Sequence, residues 1–160
     1  SVPKPASLVD SSEATPDQES LEAQNIFELL GASKGSDAEK EAFLDELQQV
    51  IWEDFVANDI PLLLTHDELA QVQEIQAKTT DLAKQQEEIV TFLEKLIPDL
   101  EDIMLEKALE LKREMVNERL AGLRTHLAGQ TDKLAKLNEA EQAMYQHKWR
   151  SVAQKLNALS

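Results

Sequence analysis

The chain has no cysteine, so neither disulfides nor thiolate chemistry can operate in it. It has no apolar run near the roughly 18 residues that cross a bilayer. The densest patch is Ile60-Pro61-Leu62-Leu63-Leu64. The first residues, Ser1-Val2-Pro3-Lys4-Pro5, lack the apolar centre of a signal peptide, and a cytoplasmic location with no membrane contact is the expectation. Sustained period-two alternation is missing, which argues against any sheet. His66, His126 and His147 are the only histidines, and none stands in a His-Glu-x-x-His or Glu-x-x-His arrangement on a helix. No acidic loop has the ligand spacing and central glycine of an EF-hand. Gly31-Ala32-Ser33-Lys34-Gly35-Ser36 lacks the ending of a phosphate loop, and no nucleophile elbow occurs. These gaps predict a protein that is not an enzyme and that uses no metal or cofactor.

Charge of one sign dominates what is there. The formal net charge is −15, unevenly spread. Residues 21–98 carry seventeen acids against five bases, whereas 119–160 carry seven bases against three acids. An acidic front half therefore meets a mildly basic end, an asymmetry able to steer docking or self-association. Tyr145, Lys148, Trp149 and Arg150 interleave aromatic and basic groups near that end. The overall acidity still disfavours nucleic acid.

Read in order, residues 1–20 hold three prolines and five serines with few apolar groups, the composition of a disordered tail. Leu21 to Leu30 reads as a short helix stopped by Gly31. Ser36-Asp37-Ala38-Glu39 is a capping box opening a helix to about Asn58. Its inward face is expected to be Phe43, Leu44, Leu47, Val50, Ile51, Phe55 and Val56, flanked by Trp52. Ile60-Pro61 ends it, Thr65-His66-Asp67-Glu68 opens a short helix by the same box, and Thr79 or Thr80 caps another. That last helix should turn Leu82, Ile89, Leu93, Leu96 and Ile97 inward.

After Ile97-Pro98-Asp99 a long helix begins, with Asp99, Glu101 and Asp102 in its first turn. Apolar positions then step by three and four through Leu109, Val116, Leu120, Leu123 and Leu127, and resume at Leu134, Leu137, Met144, Val152, Leu156 and Leu159. Gly129 between them can end one helix in a left-handed cap and start a hairpin, with Thr131 capping the second long helix. The alternative is one continuous helix. The hairpin is favoured because a lone helix of that length needs a partner throughout.

The sequence of signals Ile26-Phe27-Glu28-Leu29-Leu30-Gly31, Phe43-Leu44, Ile51-Trp52, Thr65-His66-Asp67-Glu68-Leu69 and Phe92-Leu93-Glu94-Lys95-Leu96-Ile97-Pro98-Asp99-Leu100 resembles a small helical domain of unknown function. That domain is found in hypothetical proteins of uncultivated, small-genome bacteria. The resemblance covers about residues 24–115, implies an all-helical fold, and brings no activity, cofactor or partner with it.

The expectation is thus an all-α chain in three parts: a disordered tail (1–20), a compact acidic domain of about four helices (21–98), and a long coiled-coil-like hairpin (99–160) with a break near Gly129. Its expected role is that of a non-enzymatic helical interaction, scaffold or adaptor protein. It would bind a protein partner or itself through the C-terminal helices, by a stripe of Val116, Leu120, Leu123, Leu127, Leu134, Leu137, Met144, Trp149, Val152 and Leu156. The alternative is a nucleic-acid-associated regulator with an acidic head and a basic C-terminal segment.

Overall fold

A computed structural model describes residues 18–159. Its regular structure is entirely helical, with no strand among the described residues. Most of the tail expected to be disordered (1–17) lies outside those residues. Gln18 and Glu19, also assigned to it, instead bond to the C-terminal helix, as set out below.

The first helix, α1 (Ile26–Leu29), is shorter than the predicted Leu21–Leu30, because Asn25 caps it by accepting the Phe27 N–H (2.8 Å). Residues ahead of it form a turn that still buries Leu21. Gly31 follows α1 at φ +70°, and a Cβ there would lie 2.6 Å from the Arg119 guanidinium. Gly129 also has positive φ (+85°) but open space around it. Gly31→Ala should therefore cost about 2–3 kcal/mol and Gly129→Ala only about 1 kcal/mol, the left-handed strain alone. Paired chemical denaturation curves check this, and equal costs would refute the close approach to Arg119.

Helix α2 (Asp37–Asp54) starts at Ser36, which accepts the Glu39 N–H (3.2 Å). Only this half of the expected box forms. The box at Thr65 is complete: Thr65 accepts the Glu68 N–H, and the Glu68 carboxylate accepts the Thr65 N–H. Ile60-Pro61 does not end α2 as expected. The chain widens through a π-turn at Phe55–Asp59 and continues into α3 (Ile60–Leu63), with Pro61 in its first turn. Proline gives no N–H and crowds the carbonyl four residues back, and a widened turn just before it removes that conflict.

Helices α4 (His66–Lys78) and α5 (Leu82–Leu96) pack on each other. Asp81, rather than Thr79 or Thr80, caps α5, accepting the Ala83 and Lys84 N–H groups. Ile89, Leu93 and Ile97 turn inward, but Leu82 is 64% exposed and Leu96 37%.

Helix α6 (Leu100–His126) is the spine of the molecule. Its start joins Trp52, Phe55, Ile60, Val72, Ile89 and Leu93 through Leu100. Its middle joins Ile26, Phe27, Leu44, Leu47 and Ile51 through Ala108. Its end enters a third cluster through Val116, Leu120 and, just beyond it, Leu127.

The hairpin turn at Gly129 forms, leading into α7 (Thr131–Tyr145), where Thr131 is the first helical residue rather than a bonded cap. The second arm is not one long helix. It breaks at Gln146–Lys148 and turns into α8 (Trp149–Asn157). His147 takes φ +58°. The His147 N–H donates to the Met144 carbonyl (3.0 Å) and the Lys148 N–H to that of Ala143 (2.9 Å). This is the Schellman ending, built on histidine where glycine is usual, so no glycine or proline announces it in the sequence.

Candidate functional site

The expected interaction stripe lies in the interior. Val116, Leu120, Leu127, Leu137, Trp149, Val152 and Leu156 are all buried, while Leu123, Leu134 and Met144 are partly buried against the same cluster. The break at His147 is the physical reason: it folds α8 across α7, and Leu21 and Leu29 close the remaining side. The stripe is a core within one chain, not a free face. Trp149 is 4% exposed, so its ring offers no surface for a base to stack on, whereas Tyr145 is 65% exposed.

Two cations, one buried and one half-buried, tie this core to the N-terminal turn. Lys112 is fully buried, its Nζ donating to the carbonyls of Gln24 (2.7 Å) and Leu21 (3.0 Å), with Glu22 at 3.5 Å. Burial pulls its pKa down to about 8, against the opposing charge of Glu22. Arg119 donates to the Leu29 carbonyl (2.7 Å), Asn157 Oδ1 (3.0 Å) and the Leu156 carbonyl (3.4 Å), and burial lowers its pKa too. Both serve carbonyls at helix and turn ends, two of which, Leu21 and Leu156, also accept the N–H of Gln24 and of Leu159. Glu19 does the converse for α8. Its carbonyl accepts the Trp149 N–H (2.8 Å), and its carboxylate accepts the Ser151 N–H (3.3 Å) in the first turn of that helix. Nothing here converges on a reacting atom. His66, His126 and His147 are exposed at separate helix ends, and no cluster of three metal-ligating side chains occurs among the described residues.

One open feature is a groove between α2 and α6, about 160 Å³ in volume. Val50, Ile51 and Leu111 supply its apolar part, and Asp54, Lys107, Glu110 and Glu114 its polar edge. Val50, expected in the core, is 50% exposed on this groove. Lys107 is largely enclosed, bonded to Asp54 in α2 and to Asp59 (2.9 Å) in the π-turn. Burial acts to lower its pKa, but those two hydrogen bonds and charges carry it above the ordinary value. The hydrogen bonds from Lys107, then Asn58, hold Asp54 low. The groove's cation is therefore already neutralised.

Glu110 and Glu114 at this groove belong to an acidic row that the apolar-stripe reading passed over, and the row turns about 40° around α6 at each step, so only its middle faces the groove. Asp102, Glu106, Glu110, Glu114 and Glu118 follow one another at four-residue steps along α6. All five are exposed, and none makes a hydrogen bond or ion pair among the described residues. Successive members stand about 6 Å apart along the axis. Like charges at this spacing destabilise a helix by about 0.2–0.5 kcal/mol per pair. Glu110→Lys turns two repulsive pairs, with Glu106 and Glu114, into attractive ones. It should stabilise the protein by about 1 kcal/mol, raising Tm by roughly 2–4 °C in a thermal melt at low salt. An unchanged or lowered Tm would mean that the row carries no strain. The signal was legible as an acidic period of four, but apolar periodicity alone does not report it.

Comparison with protein-family models, with curated proteins and with solved structures finds no match, so the functional reading rests on this chain's own geometry.

Proposed function

We propose that this chain is a non-enzymatic helical adaptor or scaffold protein, working by helix-on-helix packing in the cytoplasm without a cofactor. The carrying observation is the α2–α6 groove, lined by half-exposed Val50 and by the unpaired carboxylates of Glu110 and Glu114. A half-exposed valine with unneutralised carboxylates beside it supports recognition, because a partner can bury the first and neutralise the second. The C-terminal stripe takes no part in this reading, since its side chains already pack on one another.

The test is purification from the native cell at low salt, with the mass of the complex measured by light scattering. A stoichiometric polypeptide partner, lost near 0.5 M salt and absent when Glu110→Lys/Glu114→Lys replaces the wild type, is the expected result. A bare monomer at every salt concentration would overturn the adaptor reading.

A further inference from the structure

We propose that residues 18–24 are a latch on α8: this strap and α8 open and close together, as one unit, while the rest of the fold stays in place. Opening brings Trp149, Val152 and Leu156 out of the interior. The device is separate from the α2–α6 groove, and its test leaves that reading untouched.

Helix α8 does not hold its own start. Its nine residues are fewer than an isolated helix needs in water. Lys148 precedes it without a side-chain capping bond. The cap comes from the strap instead. The Glu19 carbonyl accepts the Trp149 N–H (2.8 Å). The Glu19 carboxylate, 132 positions before Ser151, accepts the Ser151 N–H (3.3 Å) and hydroxyl (3.4 Å). Arg150 donates to Gln18 Oε1 (2.7 Å).

The strap is a closed piece. Buried Gln24 donates from Nε2 to the carbonyls of Gln18 (2.7 Å) and Ser20 (2.8 Å), and Ser20 Oγ accepts the Ala23 N–H (3.2 Å). Lys112 hangs it from α6 through the Leu21 and Gln24 carbonyls. Leu21 shares one core with Trp149, Val152 and Leu156. Release of either piece alone strands the other: α8 would lose its cap and Leu21, and the strap would keep Leu21 with less to cover it. That mutual dependence makes the two cooperative. The other two apolar clusters contain no residue of the strap or of α8, so they stay closed when the unit opens. The joint is His147, at φ +58° between α7 and α8. A histidine keeps that angle only under surrounding packing, and letting α8 go relaxes it.

The experiment is hydrogen exchange of the full chain, read amide by amide by NMR at neutral pH. In the wild type, the amides of residues 152–157, which bond along α8 itself, should exchange roughly tenfold or more faster than those of Leu93 and Ala108 in the other two clusters. Glu19→Ala should quicken residues 152–157 and the Gln24 amide by one common factor, roughly tenfold. Gln24→Met keeps the volume and removes bonds that lie wholly within the strap, yet it should quicken residues 152–157 several-fold. Lys155→Ala, which breaks the exposed pair of α8 with Glu139 (3.8 Å), should change them by less than about twofold. Leu93 and Ala108 should keep their wild-type rates in all three variants.

Quickening confined to Trp149 and Ser151 in Glu19→Ala would reduce the contact to a local cap and overturn the proposal. No change at residues 152–157 in Gln24→Met would uncouple the strap from α8 and overturn it as well. So would wild-type rates at 152–157 as slow as at Leu93, or a speed-up that reaches Leu93 and Ala108 equally, since either means that α8 opens only with the whole fold.

Discussion

Leu137→Asp should abolish the fold, whereas Leu62→Asp should leave it intact. Leu137 is fully buried among Val116, Trp149, Val152 and Leu156, while Leu62 is 86% exposed. The first change removes a leucine from a closed core and puts a carboxylate there without a partner. A cost of about 5 kcal/mol or more is expected, comparable to the whole stability of a domain this size. The second falls within about 0.5 kcal/mol of wild type. Far-UV circular dichroism on heating reads both. The result that would restore the stripe as an assembly surface is a Leu137→Asp protein with native Tm and a changed mass in solution.

Lys112→Ala should be the second severe lesion, at about 3–5 kcal/mol. It strips the Gln24 carbonyl of the Lys112 donor, leaves the Leu21 carbonyl only the Gln24 N–H, and opens a cavity where the side chain ran. Lys112→Met fills that space and removes the buried charge, so it should be far milder. The pH dependence separates the causes. The folded pKa is about 8 against an ordinary 10.5, so between these values the unfolded chain binds more protons than the folded one. Lys112 therefore adds stability as pH rises through that window, in total about 3 kcal/mol, and adds no slope below it. Lys107, whose pKa is raised, acts in the opposite sense at higher pH. Subtracting the profile of Lys112→Met from that of wild type isolates the first effect. A flat difference from pH 7.5 to 10.5 would show that Lys112 is not held desolvated. Hydrogen exchange at the Trp149 amide should also quicken in Lys112→Ala, since the turn that supplies Glu19 is no longer held.

Local rules carried much of the fold. The bonds of Ser36 and Thr65, the stop at Gly31 and the turn at Gly129 each follow from one or two residues acting within a few positions. The misreadings share a physical cause. Pro61 stays inside a helical run because a π-turn accommodates it, and no single residue signals that turn. His147 takes a glycine conformation because the packing of α8 on α7 holds it there. Val50 fits the inward period of α2, yet it lies half-exposed at the groove between α2 and α6. Periodicity reports which residues share a face, but not whether another element covers that face.

The amino-acid sequence by itself determined the all-helical class, most helix starts, and the acidic row, because these depend on caps, spacing and charge along one chain. Only the tertiary structure decided what each face meets. It turned the leucine stripe of α6 and α7 inward, set Lys112 beneath the N-terminal turn, and left the α2–α6 groove open. Which surfaces are covered depends on contacts between residues about ninety positions apart, such as Lys112 with Leu21 and Arg119 with Leu29. No local pattern encodes a contact at that range.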